Sequence, residues 1–417
     1  MDDVLAVILG GGVGSRMFPL TRDRTKPAVP IAGKYRLIDI PMSNCMHAGI
    51  NKVAILTQFN SVSLHRHVQR TYRRDIFSPG WVQILAAEQT YRSDEWYHGT
   101  ADALRKQTVE LKSAGSKYTL ILAGDHLYLM DYSEFVQEHI ASGAKLSVAV
   151  QPVGREDASG LGILKLNNQN RIVEFVEKPQ TDEVLANFVS GNNPQRPYMA
   201  SMGIYMFDTE YLFEVLDNTE GTDFGKHILP AIMQDNHIHG YVFDGYWEDI
   251  GTIRRFYEVN LDMASPLPKF NLYDQRRPIY TRPRFLPGSK VERGSVYNVL
   301  MADGCRIQDA SIHSSVIGLR SIILHGVTIQ RTVMMGADFY ESEAQRAENL
   351  RVGRPNVGIG PGSVIEGAII DKNARIGRKV IIRNLPDRPD EDHDNWYSRE
   401  GIVIVPKNGI IYDDTII

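Results

Sequence analysis

Gly10-Gly-Gly-Val-Gly-Ser-Arg16 is the segment of this chain best equipped to do chemistry, and Lys26-Pro27 follows closely. Glycines let backbone N–H groups come close to phosphate oxygens, and cations at fixed offsets then neutralise the charge. Two familiar loops are excluded by the spacing. The third glycine of Gly-x-Gly-x-x-Gly would fall on Ser15 counted from Gly10, or on Met17 counted from Gly12. No Gly-Lys-Ser/Thr follows, as a Walker A loop would need. A plain glycine turn is the alternative; Arg16 and Lys26 favour phosphate.

Other residues suit the same chemistry. Phosphoryl transfer to an oxygen that is already anionic needs cations, carboxylates for magnesium and alignment, but no strong general base. Asp125, in Gly124-Asp-His126, follows an apolar run and would sit at the carboxyl end of a parallel strand. There it could hold Mg²⁺, or instead cap a following helix. Asp249, in Tyr246-Trp-Glu-Asp-Ile-Gly251, is the best second ligand, with a turn aspartate as the alternative. In Phe175-Val-Glu-Lys-Pro179 the proline should stop a strand and hold Lys178 extended at its tip. A lysine there can grip a monophosphate, and Glu177 can accept from sugar hydroxyls; a solvated pair is the other reading. Trp96-Tyr-His-Gly-Thr-Ala-Asp-Ala103 has the aromatic and hydroxyl content of a sugar or base pocket, or of an ordinary core. The pairs His65/His67 and His237/His239 read as structural rather than metal-binding, and Arg66, Arg70 and Arg73 as one solvated helical face.

These residues need elements to position them. Strands are expected at Val4–Leu9, Lys52–Thr57, Tyr118–Leu122, Lys145–Gln151 and Ser201–Phe207, with helices over Asp102–Leu111 and Tyr132–Ser142. The apolar runs suit strands buried on both faces, so the expected fold is α/β, a Rossmann-like, mostly parallel sheet over residues 1–263. Pro266, Pro268, Pro278, Pro283 and Pro287 mark a linker, 264–289. Over 290–417 small β-branched residues recur every five or six positions: Val299, Ile307, Ile312, Ile317, Ile322, Val327, Ile359, Val364, Ile370, Ile376 and Ile381. That texture is expected of a left-handed parallel β-helix, interrupted by a loop over Phe339–Asn356.

Composition narrows the partners. A net charge of −4 across 417 residues offers no basic excess for nucleic acid. No apolar run is long enough to cross a membrane, and the first strand follows Met1-Asp-Asp too directly for a signal peptide. Cys45 and Cys305 make neither a disulfide framework nor a metal site, so a soluble cytoplasmic protein is expected.

The spacing Gly-Gly-x-Gly-x-Arg with a later Lys-Pro resembles sugar-phosphate nucleotidyltransferases. With Lys26-Pro-Ala-Val-Pro30, Gly33–Pro41, Ser43-Asn-Cys45, Leu56–Ser61, Gly99-Thr-Ala-Asp-Ala103, Gly124–Tyr128, Ala200–Tyr205 and Trp247–Thr252, the chain resembles the ADP-glucose pyrophosphorylase family along nearly its whole length. Asn373–Gly377 and Gly401–Lys407 look most like the cyanobacterial and plant branch. The resemblance implies that Tyr97, Gly162, Glu177, Lys178 and Ser201 bind glucose 1-phosphate. It implies that Leu9, Gly10, Gly11, Gly12, Gln89, Gly99 and Thr100 hold the adenosine of ATP. Arg16 and Lys26 would face the triphosphate, and Asp125 and Asp249 would carry Mg²⁺. The implied reaction gives ADP-glucose and pyrophosphate, for glycogen or starch, in a homotetramer controlled by anionic effectors such as sugar phosphates, phosphoglycerate, AMP or phosphate. Departures concern regulation. Asp23 stands where some bacterial members carry an effector lysine; Lys407 matches a C-terminal activator lysine, whose partner would fall near Leu385. An effector site of Arg24, Arg284 and Lys407 is therefore expected. Three alternatives compete: a nucleotidyltransferase making a GDP-, UDP- or dTDP-sugar, a non-catalytic regulatory subunit, and an acyltransferase built on the β-helix. Arg16, Lys26, Asp125, Lys178 and Asp249 are all present, against the second; only His313 and His325 could serve the third.

Overall fold

The structure is a computed structural model, and it describes residues 1–75, 77, 79–87, 96–191, 193–233 and 237–417. Two compact units form. One comprises Met1–Gly12, Ile40–Ser61 and Val68–Glu248; the other comprises Val13–Asp39, Val62–His67 and Asp249–Ile417.

The first unit is built on a mixed sheet. Strand Val4–Leu9 lies between Lys52–Thr57 and Tyr118–Ala123, parallel to both, and Trp81–Ala86 extends the parallel half. Tyr198–Asp208 then runs antiparallel to Tyr118–Ala123, and it also pairs with Leu146–Val153 and Gly162–Leu166. Val4, Leu5, Ala6, Val7 and Ile8 are all buried, because helices and loops cover both faces. The expected strands are present, with ends moved by up to three residues, and helix Tyr132–Ser142 falls where expected. Asp131 caps it, accepting from Ser133 N. The single helix expected over 102–111 is two, Thr100–Lys106 and Thr108–Ser113, broken at Gln107. This topology gathers the ends of three parallel strands, hence Gly10, Gln58 and Gly124, on one edge of the sheet.

In the second unit residues 264–289 form no helix or strand. Beyond them parallel strands stack in register. Ile307 pairs with Ile323, then Ile359, Ile376 and Ile411; a second column runs Ile312, Ile329, Ile365, Ile382. A third column is Ile317, Met334, Ile370, Val405, and all three columns are buried, as a β-helix requires. In the pairs Ile322-Ile323, Val364-Ile365 and Ile381-Ile382 it is the second residue that faces the core, one position later than the period suggested. Residues 339–356 are not merely a loop: they contain helix Glu343–Arg351, started by a capping box of Ser342 and Gln345.

The segment 13–39 is integrated into this unit. Gly33, at φ 75°, lies so close to Gly318 that an added Cβ would meet Ile317 O at 3.3 Å. Leu319 N donates to Gly33 O at 3.1 Å, and Ala32 N to Asn260 Oδ1 at 2.9 Å.

Candidate active site

In the first unit the glycine turn leaves strand Val4–Leu9 with Gly10 N donating to Leu56 O at 2.9 Å. Nothing lies within 4 Å of a Cβ built on Gly12, so its backbone is open to approach. Gly11 faces Gln58 and Tyr97. These two interlock: Tyr97 N donates to Gln58 Oε1 at 2.7 Å, and Gln58 Nε2 to Tyr97 O at 3.2 Å. The Tyr97 ring is 8% exposed and its hydroxyl accepts from Gln107 Nε2.

Asp125 directly follows strand Tyr118–Ala123 and Gly124, at the carboxyl end of the parallel strands. A short strand, His126–Tyr128, comes next, so Asp125 caps no helix. The Trp247 indole N–H donates to His126 Nδ1 at 3.3 Å. Indole only donates, so the neutral ring carries its proton on Nε2, which lies 3.8 Å from Asp125 Oδ1. A half-buried carboxylate beside a histidine N–H is a hard oxygen donor, suited to Mg²⁺.

A second cluster surrounds Glu177. Its carboxylate lies against two glycines: a Cβ on Gly162 would meet Oε2 at 2.9 Å, and one on Gly225 at 3.4 Å. Lys178 Nζ stands 3.3 Å from Glu177 Oε1. The strand ends at Glu177 as expected, but Lys178 is not extended: its φ is 50°. Its N–H donates to Leu161 O at 3.1 Å and its carbonyl accepts from Gln180 Nε2 at 2.7 Å, which hold the turn against Pro179. Left-handed backbone at a lysine is strained, and such strain gathers at ligand sites.

Thr100 joins this cluster through Asp223. Thr100 Oγ1 donates to Asp223 Oδ2 at 3.3 Å and accepts from Phe224 N at 3.0 Å. Gly99 packs so tightly on Thr222 that a Cβ would fall 2.3 Å from its carbonyl oxygen. Ser201 Oγ accepts from Gly203 N at 3.2 Å. Burial, with Asp223 and Glu177 nearby, pushes the Tyr205 hydroxyl up, while Ser201 hydrogen-bonds it. Asp223 and Gln58 were not anticipated; the signal for Asp223 was Glu220-Gly-Thr-Asp-Phe-Gly225, which opens a π-helical turn at Phe224–Ile228. Gln89 lies outside the described residues.

In the second unit Arg16 sits in a single 3-10 turn, Ser15–Met17, entered through Gly14 at φ 68°. Only glycine fits there, because a Cβ would meet Thr21 at 2.9 Å and Lys26 Cγ at 3.0 Å. Asp249, the last residue of strand Trp247–Asp249, and Arg16 converge on Gly251. A Cβ built on Gly251 would be 3.3 Å from both Asp249 oxygens and 3.4 Å from Arg16 Nη2.

The expected effector cations separate into two roles. Arg24 Nη2 donates to both Asp371 oxygens at 2.8 Å, with side chains only 3% and 1% exposed, so it anchors the fold. Lys407 Nζ lies 3.6 Å from Asp338 Oδ2, and Lys372 Nζ donates to Asp338 Oδ1 at 2.6 Å. Lys372 is thus the lysine the structure sets beside Lys407: β-helix register puts Ile370 beside Val405, so the two occupy neighbouring coils. The repeated dipeptides Lys372-Asn373 and Lys407-Asn408 were the available signal. Burial and the neighbouring Arg36 and Arg284 bring Lys372 down to about 8, although Asp338 opposes this. Burial brings Arg36 down to about 10. The lysines hold the Asp338 carboxyl well below the usual range despite burial.

The first unit thus carries an open glycine turn, a carboxylate at the strand ends and a Glu-Lys pair, groups whose chemistry suits phosphorylated ligands. Residues 5–265 match the family model of nucleotidyl transferases, more than half of the chain, and the protein belongs to that family. Residues 284–416 match the GLGC left-handed parallel beta-helix domain. Together these two domains are the architecture of ADP-glucose pyrophosphorylase. Among the described residues no helix is long and apolar enough to cross a membrane.

Proposed function

We propose that the protein transfers AMP from ATP to glucose 1-phosphate, giving ADP-glucose and pyrophosphate, the glucosyl donor for glycogen or starch. One observation carries the sugar end: the Glu177 carboxylate sits against two bare glycines with Lys178 beside it. A carboxylate accepts from sugar hydroxyls, and an adjacent ammonium neutralises the sugar's phosphate. An oxygen of that phosphate attacks the α-phosphorus in line; the new P–O bond forms as the bond to the β-phosphate oxygen breaks, and pyrophosphate leaves. The attacking oxygen carries no proton, so no base is required. Arg16 and Lys26 face the triphosphate, and the turn Gly10–Gly12, Leu9, Gln89, Gly99 and Thr100 hold adenosine. Tyr97 and Ser201 shape the sugar side. Asp125 and Asp249 would hold Mg²⁺, which neutralises charge on the phosphates when bound.

The second reading is another sugar nucleotide, since the glycine turn fits any nucleoside triphosphate. Pyrophosphate release with ATP, GTP, UTP and dTTP against glucose and mannose 1-phosphates separates them. ATP with glucose 1-phosphate should exceed every other pair; a preference for another pair refutes the assignment. We further propose that a homotetramer operates in the cytoplasm, with both free, buried cysteines suiting a reducing compartment. Catalysis falls to residues 1–263, and assembly and regulation to 290–417. An anionic effector would bind at Lys407, with Lys372 and Arg284 adding positive potential.

A further inference from the structure

Two local rules oppose the backbone of Lys178. A residue with a Cβ is disfavoured in the left-handed region, and a residue before proline is driven to extended backbone. Lys178 precedes Pro179 and holds φ 50° all the same. Two hydrogen bonds work against those rules. The Lys178 N–H donates to Leu161 O at 3.1 Å, and the Lys178 carbonyl accepts from Gln180 Nε2 at 2.7 Å. The first joins main chain to main chain; the second comes from a side chain.

The Gln180 amide reaches a second carbonyl. Its Nε2 also donates to Ser159 O at 3.2 Å, so both amide hydrogens go to main-chain oxygens. A carbonyl only accepts, which sets the amide nitrogen, not its oxygen, on that side. Both anchors are firm. Ser159 follows helix Arg155–Ala158, and beyond it Gly160 N donates to Asp157 O at 3.1 Å and Leu161 N to Ala158 O at 3.3 Å. Ala158 is fully buried in a core shared with Ile163, Leu185 and Ala200. On the other side, helix Asp182–Ala186 follows Gln180, its Leu185 lies in the same core, and Arg155 bonds Asp182. The loop from Ser159 to Gly162 thus carries the bare glycine against Glu177 and, through Gln180, the turn that presents Lys178.

We propose that Gln180 is a positioning residue for the sugar's phosphate: by bridging Lys178 O and Ser159 O it keeps Lys178 left-handed, with the ammonium 3.3 Å from Glu177 Oε1. Without the bridge the residue before Pro179 relaxes toward extended backbone, which redirects its side chain. The inference rests on the reading of Lys178 as the group that grips the sugar's phosphate, and it names what sets that grip.

The test is steady-state pyrophosphate release from ATP and glucose 1-phosphate by the full-length protein, in a cycle of wild type, Gln180→Met, Lys178→Met and the double variant. Methionine keeps the length of glutamine, removes the donors and adds no charge; Gln180→Ala serves should Gln180→Met not fold. Gln180→Met should lower kcat/KM for glucose 1-phosphate about fivefold, the factor one ordinary hydrogen bond represents, and leave KM for ATP unchanged. In the Lys178→Met background the same change should lower it less than about twofold, because the bridge acts through the lysine. Three results overturn the positioning role and leave the sugar site standing: an equal loss in both backgrounds, a matching rise in KM for ATP, or no effect of Gln180→Met while Lys178→Met is deleterious. No turnover of these substrates by wild type, or full efficiency in Lys178→Met, removes the sugar reading and the positioning role together.

Discussion

Arg24→Met should damage stability before it damages regulation. The Arg24 guanidinium bonds both Asp371 oxygens at 2.8 Å, and both side chains are nearly inaccessible. Removing the cation leaves a buried carboxylate without its counterion, for which roughly 3–5 kcal/mol is typical. At roughly 2–4 °C per kcal/mol for a domain of this size, the melting temperature should fall by roughly 6–20 °C. Asp371→Leu alone should do comparable harm. The double variant should recover most of the loss, because neither charge is then left buried without its partner. Calorimetric scans of the four proteins complete the cycle. If Arg24→Met melts within a degree of wild type yet no longer responds to phosphate, the buried-anchor argument is wrong and Arg24 touches effector directly.

Asp125→Asn should lower kcat by at least about a hundredfold, as loss of one charge-stabilising group does, with an unchanged melting temperature; near-normal turnover removes Asp125 from the mechanism. Gly162→Ala would set a methyl 2.9 Å from Glu177 Oε2 and 2.8 Å from Phe175, so the carboxylate must move. KM for glucose 1-phosphate should rise about tenfold or more while KM for ATP stays put, by steady-state kinetics. Lys372, brought down to about 8 when folded, binds fewer protons there than in the unfolded chain between about 8 and its ordinary 10.5. Its contribution to stability therefore rises with pH across that window, and is lost as pH falls through about 8. Phosphate affinity runs the other way, weakening above pH 8 as the ammonium is lost; flat titrations from pH 7 to 10 refute this.

Local pattern was enough wherever one strand or one turn decides the outcome. The apolar run Val4–Leu9 read correctly as a strand, because a strand buried on both faces has no polar face to confuse it. The β-helix columns were legible to within one residue. At Ile322-Ile323 and Ile381-Ile382 two adjacent isoleucines offer the period either choice, and only cross-coil register selects the inward one. Lys178 shows a limit of another kind. The rule that proline keeps its predecessor extended was overridden by a hydrogen bond to Leu161, which no local window contains. Asp223 and Asp338 were invisible for the same reason, since each acquires its meaning from residues far along the chain. Helix Glu343–Arg351 was missed because it is polar nearly all round, with only Asn349 buried, and so shows no amphipathic stripe.

Segment 13–39 joins a compact body completed only by residues translated last. Ala32 and Gly33 find their hydrogen-bonding partners at Asn260 and Leu319, so more than two hundred residues must leave the ribosome first. At roughly 5–20 residues per second that is a wait of tens of seconds, during which an arginine-bearing strap hangs from an emerging sheet without its bed. Nascent chains stalled before residue 260 should therefore be nicked by protease between residues 13 and 39, and chains released at full length should resist.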